Sequence, residues 1–463
     1  MQENKRGSFT GSLGFVLAAA GSAVGLGNIW RFPYLAAKDG GGIFLLVYVV
    51  LALTFGIALM TTEISIGRKT RQSPLTAYGK LHSKWKFLGV IACIVPTIIL
   101  PYYCAIGGWV LRYFTAFITG NGSSAAEDGN FTGFITQVNA PIIFMIIFLA
   151  ATFFIVYLGV DKGIESCSKI MMPILLVMII CIGVFGLRIQ NTDGNGVTRT
   201  GLDGLKIYVI PNLEGMTIRK FLSVCVDAMG QLFYSLSVAM GIMIAYGSYM
   251  KDDVSISKSV NQIEFFDSLV AFLAGMMIVP TVYVFMGTDG MSAGPGLMFV
   301  TLPKVFTAMG KAGLLIGVAF FLMVLFAALT SSVSIMEAIV SSLMDHKGVT
   351  RRRACIGCSI YALAAGIVVC LGYNVLYFEF QLPNGSTAQI LDIMDYVSNN
   401  VLMPIVSILT CVLIGWVLKP QVIIDEVEKN GKKMRKKALY VGMIRFVAPV
   451  LLLVLLLRSL GIL

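Results

Sequence analysis

The sequence predicts an all-α polytopic membrane protein that forms a single domain over residues 1–463. Two observations support this prediction. Apolar residues make up 57% of the chain and charged residues only 13%, with a mean hydropathy of +0.85, a balance that ordinary soluble domains do not have. The apolar residues also gather in eleven long stretches, two of which are interrupted by helix-breaking or polar residues.

The eleven apolar segments are each long enough to form a membrane-spanning helix. They cover roughly residues 13–35, 41–67, 87–118, 141–159, 168–187, 221–248, 264–286, 313–344, 354–373, 388–418 and 440–460. We therefore expect eleven transmembrane helices and no separate soluble domain.

Segment 1 is not a regular apolar helix. Its centre reads Gly25-Leu-Gly-Asn-Ile-Trp-Arg-Phe-Pro33 and so contains two glycines, an amide, an arginine and a proline. Glycine weakens a helix interior and proline breaks it, and an arginine at membrane depth costs at least ~2.5 kcal/mol without a partner or water. Irregular backbone is tolerated there only where it is buried in protein or lines a cavity. Segment 1 therefore predicts a binding site built from a broken helix.

A second break is expected five segments later if the chain contains an inverted repeat. Segment 6 has one, because the run from Gly230 to Gly241 interrupts an apolar stretch with hydroxyls and glycines. We predict a 5+5 inverted repeat with broken helices 1 and 6: repeat one at about 9–187, repeat two at about 221–418, and an extra helix at 440–460. The loop at 287–313 fits a capping outer loop and a plain loop equally well.

Basic residues are distributed unevenly along the chain, whose net charge is +11. They cluster at the N-terminus and in every second loop, at Lys5-Arg6, Arg68–Lys86, Lys347–Arg353 and Lys429–Lys437. By the positive-inside rule these regions are cytoplasmic, so we predict the N-terminus inside and, after eleven crossings, Leu463 outside. The basic runs are interpreted as topology determinants of a protein in a lipid bilayer, and no nucleic-acid partner is expected.

Three motifs resemble those of one family. Gly25-Leu-Gly-Asn-Ile-Trp-Arg-Phe-Pro-Tyr34 followed by Gly40-Gly-Gly42 is similar to segment 1 of the neurotransmitter:sodium symporters. Gly230-Gln231 with Phe233-Tyr-Ser-Leu-Ser237 resembles their segment 6, and Ala327-Ala-Leu-Thr-Ser-Ser332 their segment 8. The resemblance covers roughly 9–418. The short loop after segment 3, without a cysteine pair, and the lack of a twelfth segment resemble the bacterial amino acid transporter branch.

The resemblance implies the leucine-transporter fold and sodium-coupled symport of an amino acid into the cell by alternating access, in the inner (plasma) membrane of a bacterium. A substrate carboxylate suits the N-terminal end of a half-helix. The monoamine branch has an aspartate at the position of Gly25, so glycine favours an amino acid that brings its own carboxylate. The implied substrate-binding residues are Ala23, Gly25, Leu26, Gly27, Ile99, Tyr103, Tyr234, Ser235, Ser237, Met240, Ser331 and Ile335.

The implied pocket wall is mostly apolar, which favours a neutral, hydrophobic or aromatic amino acid. Tyr234 would be an aromatic lid, where the family more often has Phe. Met240 stands where Phe is frequent, and Ala239 where glycine is common. These departures change the shape of the pocket, and a flexible methionine adapts to several ligands. Which amino acid is carried therefore stays open.

Two sodium sites are also implied, and sodium prefers oxygen ligands from hydroxyls, carbonyls and amides. The first site would use the Ala23 carbonyl, Asn28, Ser235, Asp267 and the substrate carboxylate. The second would use the carbonyls of Gly21, Val24 and Ala327 with the hydroxyls of Thr330 and Ser331. Two alternatives stay open: Thr330 and Ser331 could bond back to their own helix, and Asp267 could face the cytoplasmic vestibule.

Asp267 also bears on the choice of co-ion. It stands where the family pattern has an asparagine, while Ala271 stands where chloride-dependent members have a serine. Asp267 would supply the compensating negative charge at the sodium, so no chloride requirement is expected. The alternative is a proton-coupled amino acid carrier that uses Asp267 as its protonation site, although the hydroxyls of Thr330 and Ser331 favour sodium.

Charge pairs that form in one state and break in the other are candidate gates. The outer pair would be Arg31 with Asp395. The cytoplasmic pair would be Arg6 with Asp345, supported by Ser248 and Tyr249 and plugged by Phe9. A topology charge is an equally good interpretation of Arg6.

An enzyme is not expected from this sequence. The two histidines, His82 and His346, lie in predicted cytoplasmic loops, and the sequence contains no metalloprotease or serine-hydrolase motif. A channel or a transporter-like receptor is a further alternative, which saturable, substrate-dependent uptake would exclude.

Overall fold

The structure is a computed structural model that describes residues 7–192, 196–287, 290–291, 294–429, 431 and 433–463. These residues are mostly helical. The helices are, in chain order, α1 Ser12–Ala23, α2 Gly27–Lys38, α3 Gly42–Thr70, α4 Pro74–Leu81, α5 Ser83–Ile118, α6 Gly122–Ala125, α7 Asn130–Ile135, α8 Asn139–Tyr157, α9 Val160–Arg188, α10 Gly201–Val209, α11 Ile218–Ser235, α12 Ile242–Ser248, α13 Ile256–Met286, α14 Leu297–Ala308, α15 Lys311–Lys347, α16 Arg351–Leu371, α17 Ile390–Val417, α18 Gln421–Glu428 and α19 Lys437–Ser459. Two short antiparallel hairpins join β1 (Gln190–Thr192) to β2 (Thr198–Thr200) and β3 (Phe380–Gln381) to β4 (Thr387–Ala388).

The predicted membrane segments can be compared directly with these helices. Within the described residues, nine helices are individually long and apolar enough to cross a membrane, and the bent pair α1 and α2 makes a tenth span. The remaining predicted segment, segment 6, is a second broken pair, α11 and α12. The all-α membrane fold with broken helices 1 and 6 is therefore confirmed, whereas the count of eleven spans is not.

The first break lies between α1 and α2, whose axes meet at 55°. Helix α1 ends at Ala23, and Val24 adopts an extended conformation with φ −71° and ψ 92°. Helix α2 opens with the π-helical turn Gly27–Arg31 before its regular part begins at Phe32. Pro33 lies within α2, just after this π-helical turn, and not at the break itself. The Gly-rich part of the motif thus coincides with the break, at the predicted place.

The second break lies between α11 and α12. Ser237 and Ala239 there have positive φ angles of 54° and 63°, a left-handed conformation that costs roughly 1 kcal/mol or more for a residue with a Cβ. The Ala239 N–H donates a 2.6 Å hydrogen bond to Oε1 of the buried Glu63 on α3. A carboxylate from a neighbouring helix therefore fixes the unwound segment.

Helices α5, α13 and α15 pack around the two breaks and bury them in the centre of the molecule. The predicted outer side is covered by α14, which lies within the loop at 287–313. Phe299 of α14 stacks on Phe131 with ring centroids 5.0 Å apart and also contacts Trp30 edge-on at 6.4 Å. Of the two interpretations of this loop, the structure shows the capping one over residues 297–308.

Candidate substrate and sodium sites

A cavity with about 530 Å³ of empty volume lies where the two helix breaks face each other, between α5 and α15. All twelve predicted substrate-binding residues line it. Sequence reasoning did not assign Ser22, Trp30 and Ile106 to this wall, and placed Asn28 only at a sodium site. The lining is Ser22, Ala23, Gly25, Leu26, Gly27, Asn28, Trp30, Ile99, Tyr103, Ile106, Tyr234, Ser235, Ser237, Met240, Ser331 and Ile335.

The backbone at Gly25 and Gly27 forms one side of the cavity. A Cβ atom placed on Gly25 would lie 3.0 Å from Oγ of Ser331 and 3.4 Å from the hydroxyl of Tyr103, and one on Gly27 would lie 3.2 Å from the Tyr234 ring. The missing side chains therefore leave the unwound backbone and two hydroxyls facing the same space. This is a set of hydrogen-bond donors that suits a carboxylate.

Asp267 lies fully buried in a cluster beside this cavity. Its Oδ1 accepts hydrogen bonds from Nδ2 of Asn28 at 2.8 Å and from the Ser235 hydroxyl at 2.7 Å, and its Oδ2 accepts one from Tyr48 at 3.2 Å. Asp267 thus lies with Asn28 and Ser235, the other two side chains predicted for the first sodium site, and is not exposed to a vestibule. The presence of a sodium ion among them stays a prediction. Tyr48 had not been singled out in the sequence.

The second predicted sodium site joins α1 to α15. The N–H of Gly25, the regular helical partner of the Gly21 carbonyl, points instead to Oδ1 of Asn28 at 3.3 Å. The Ser331 hydroxyl donates across to the Ser22 carbonyl at 3.2 Å. Thr330, by contrast, bonds back to the Phe326 and Ala327 carbonyls of its own helix at 3.0 and 3.1 Å. Thr330 thus follows the alternative prediction, a hydrogen bond back to its own helix, whereas Ser331 bonds to a different helix.

The remaining residues predicted for this site would contribute their carbonyl groups, and two of the three, Gly21 and Ala327, lie next to Thr330. Gly21 packs against Thr330, since a Cβ on Gly21 would lie 3.3 Å from the Thr330 Cβ. Val24 lies in the extended break, and Ala327 is buried one turn before Thr330. Carbonyl oxygens and hydroxyls of this kind are the ligands that a hard monovalent cation prefers. The assignment of a sodium ion to them stays a prediction.

The predicted outer gate, Arg31 with Asp395, is not paired in this structure: no contact within 4.0 Å joins the two described side chains. The Arg31 guanidinium lies over the Tyr234 ring at 5.8 Å. Asp395 accepts hydrogen bonds from Tyr102 at 3.1 Å and from Asn399 at 2.6 Å. The two charges are near enough to act on each other, so the pair remains a candidate for another state of the gate.

Phe9 closes the predicted cytoplasmic end of the molecule. It is 1% exposed and packs edge-on against Phe15, Tyr246 and Tyr249. The Asp345 carboxylate accepts a hydrogen bond from the Ser73 N–H at 2.7 Å. Arg6, its predicted partner, lies outside the described residues.

The other two predicted cytoplasmic gate residues bond elsewhere. The Ser248 hydroxyl donates to the Ala245 carbonyl of its own helix at 2.6 Å. Tyr249 donates to the buried Glu337 at 2.7 Å, and Glu337 forms an ion pair with Arg351. Sequence reasoning missed Glu337, as it missed Glu63. An ionisable residue within an apolar segment is a signal that could have found both.

Comparisons with known proteins agree with this geometry. A model of the sodium:neurotransmitter symporter family matches residues 6–125 and 130–462. A Bacillus subtilis protein described as the uncharacterized sodium-dependent transporter YhdH is 33% identical over 470 residues, covering 100% of both chains. A Caenorhabditis elegans sodium-dependent dopamine transporter is 28% identical over 82% of this chain and 71% of its own. The crystal structure of MhsT in complex with L-phenylalanine superposes with a TM-score of 0.84 at 33% identity, covering 98% of this chain and 100% of that one.

Proposed function

The chain belongs to the sodium:neurotransmitter symporter family, and on this premise we propose that it carries a neutral amino acid into the cell together with sodium by alternating access. Membership makes it a sodium-coupled membrane transporter and not an enzyme. The observation on which the finer proposal rests is the unwound backbone at Gly25, which has no side chain and lies close to the Tyr103 and Ser331 hydroxyls in the cavity wall.

The amino acid class follows from the two halves of the cavity. A carboxylate would bind the N-terminal end of α2 and the Tyr103 hydroxyl, where helix dipole and free N–H groups favour negative charge. The lining of the cavity also includes Ile99, Ile106 and Ile335, which suits a hydrophobic or aromatic side chain. MhsT, which shares the fold, was crystallised with L-phenylalanine.

Two sodium ions would bind beside this substrate. In the first site the substrate carboxylate would join Asp267, Asn28, Ser235 and the Ala23 carbonyl, so that sodium and substrate each lose a partner without the other. Such a shared ligand is a direct coupling free energy between the two sites. Since Asp267 already provides a negative charge, uptake should not require chloride.

A thermal-stability screen of the purified protein with the twenty amino acids, in sodium and in choline buffers, tests this proposal. A ligand that binds the folded state raises the melting temperature. We expect one or a few neutral, hydrophobic amino acids to do so in sodium but not in choline. Stabilisation only by an amine without a carboxylate would overturn the substrate class. Uptake into proteoliposomes that collapses when gluconate replaces chloride would overturn chloride independence.

A proton-coupled carrier is the second candidate, because Asp267 is fully buried and burial disfavours a charged carboxylate, so that a proton can take the place of a cation. The three donors to this carboxylate, from Asn28, Ser235 and Tyr48, favour its charged form and therefore the sodium-coupled alternative. Uptake at fixed pH distinguishes the two: replacement of sodium by choline abolishes it in a sodium symporter and spares it in a proton-coupled carrier.

The membrane orientation proposed here follows the charge of the loops. We place the protein in the inner membrane of a bacterium with its N-terminus in the cytoplasm and Leu463 outside. Lys347–Arg353 would then lie inside and the Glu127-Asp128 loop outside. Labelling of single introduced cysteines at Ser123 and Lys347 with an impermeant reagent in intact cells would test this, and labelling of Lys347→Cys alone would overturn it.

A further inference from the structure

A second cavity opens at the basic, predicted cytoplasmic end of the molecule, away from the substrate site. It contains about 1560 Å³ of empty volume between α3, the start of α13 and the chain that leads into α19. Its walls include four basic side chains, Lys258, Lys433, Arg435 and Lys436, together with the hydroxyl residue Ser257. None of these residues contributes to the transport mechanism described above.

None of the four cations of this cavity forms an ion pair within 4.0 Å with a described carboxylate. Glu428 forms an ion pair with Lys437 at 2.8 Å and also acts on Lys433 through its charge, and Asp252 forms an ion pair with Lys429 at 3.3 Å. Four like charges around one cavity repel each other, so the arrangement favours an anionic occupant.

An apolar groove continues from this cavity along the membrane face between α3 and α13. It contains about 660 Å³ and shares Ile57 and Asn261 with the basic cavity. Its walls include Val49, Leu53 and Phe265, which are 49%, 48% and 62% exposed. The basic cavity and the apolar groove therefore form one continuous surface with a charged end and an apolar end.

One acidic residue lies at the floor of the groove. Glu264 is only 2% exposed, and its Oε1 accepts a hydrogen bond from the Ser268 hydroxyl at 2.9 Å. The surface that the groove offers to its surroundings is therefore apolar in spite of this carboxyl.

We propose that this surface binds one anionic phospholipid, with its phosphodiester among Lys258, Lys433, Arg435 and Lys436 and an acyl chain in the groove beside Leu53 and Phe265. Basic pockets between membrane helices on the cytoplasmic side are suited to acidic headgroups, and each Lys or Arg adds attraction. A soluble phosphate would use the cations alone. Because an apolar groove adjoins the cations at membrane depth, a lipid fits this surface better than a soluble phosphate does.

The test is a titration of the full-length protein in neutral detergent with phosphatidylglycerol or phosphatidylcholine, followed by native mass spectrometry. The test variant is Lys258→Gln/Lys433→Gln/Arg435→Gln/Lys436→Gln. Its matched control, Lys84→Gln/Lys86→Gln/Arg352→Gln/Arg353→Gln, removes four exposed basic residues from the same predicted face. We expect the test variant to bind phosphatidylglycerol ~10-fold or more weakly than the natural protein, and the control to change affinity less than ~2-fold.

The groove has its own variant. Leu53→Trp should fill the groove and weaken phosphatidylglycerol binding, whereas Leu46→Trp on the exposed face of α3 should not. The proposal is overturned if both quadruple variants lose equal affinity, or if phosphatidylcholine binds the natural protein as tightly as phosphatidylglycerol. Displacement of the lipid by inorganic phosphate, with Leu53→Trp without effect, would assign the cavity to a soluble anion instead. Sodium-dependent uptake of each variant verifies that it folds.

Discussion

The proposed substrate class depends on one missing side chain. At Gly25 the unwound backbone lies close to the Tyr103 and Ser331 hydroxyls, and a Cβ there would lie 3.0 Å from the serine oxygen, so a side chain would compete with a bound carboxylate for the same space. An aspartate at this position would fill that space and bring a second negative charge next to a substrate carboxylate. Binding of a free amino acid would therefore require glycine at this position for both steric and electrostatic reasons.

Replacement of Gly25 tests this requirement. Gly25→Ala should weaken amino acid binding ~10-fold or more, since a Cβ 3.0 Å from the Ser331 oxygen requires that hydroxyl to shift and occupies space beside the proposed carboxylate site. Gly133→Ala is the matched control, because a Cβ there meets nothing within 4 Å. For both variants, calorimetry in sodium buffer measures the Kd of the amino acid that stabilises the natural protein. Equal affinities of the two variants would contradict the assignment of Gly25 to the carboxylate site.

In the proposed first sodium site, Asp267 would supply the negative charge. Asp267→Asn keeps the shape of the cluster but removes that charge, so the sodium concentration for half-maximal substrate binding should rise ~10- to 100-fold. Tyr48→Phe removes one 3.2 Å hydrogen bond to the same carboxylate and leaves its charge in place. We therefore expect a smaller increase for Tyr48→Phe. An unchanged sodium dependence in Asp267→Asn would show that Asp267 is not a ligand of this sodium ion.

At the scale of the element, the breaks in α1–α2 and α11–α12 were predictable because local chemistry determines them. Glycines weaken a continuous helix whatever surrounds them, and the family motifs predicted which residues face the cavity. The partners that hold the breaks were not predictable in this way. Glu63 and Tyr48 act from a different helix, and periodicity along one helix does not say which neighbour it meets.

The behaviour of individual hydroxyls was equally hard to infer from sequence. Thr330 and Ser331 are adjacent and chemically alike, yet Thr330 bonds back to Phe326 and Ala327 while Ser331 reaches the Ser22 carbonyl. On a helix, neighbouring side chains point about 100° apart. Which of the two faces α1 depends on how α15 is rotated, and packing of the whole bundle determines that rotation.

The hydrogen bond from Ala239 to Glu63 should determine how stable the α11–α12 break is. Glu63→Ala leaves a buried N–H without its partner and should lower the free energy of unfolding by about 1–3 kcal/mol. Glu63→Gln retains a carbonyl oxygen as acceptor and should cost less. Thermal unfolding in neutral detergent, monitored by circular dichroism, compares the stabilities of the two variants with that of the natural protein. Equal melting temperatures for Glu63→Ala and the natural protein would show that another group satisfies Ala239.

At the scale of the whole molecule, the cavity is covered from both ends. On the predicted cytoplasmic side the cover is the Phe9 cluster, and on the predicted outer side it is Phe299 of α14 with Trp30. Transport by alternating access requires that these covers open one at a time. Aromatic packing is worth about 0.5–1.5 kcal/mol per pair beyond its buried area, so truncation of one cover should shift the population toward the state open on that side.

Opposite truncations should therefore change access to the cavity from opposite sides. The reporter is Ser237→Cys, whose thiol would line the cavity. In this background, Phe9→Ala should increase the rate at which the thiol reacts with an impermeant reagent in inside-out vesicles ~5-fold or more, because roughly 1 kcal/mol or more of aromatic packing is lost. Phe299→Ala should do the same in right-side-out vesicles, and neither change should speed labelling from the other side. Loss of sodium-stimulated uptake in both variants is compatible with this scheme, because each disturbs the balance between states. Faster labelling from both sides by either variant would mean that it loosens the bundle as a whole, and would contradict separate covers at the two ends.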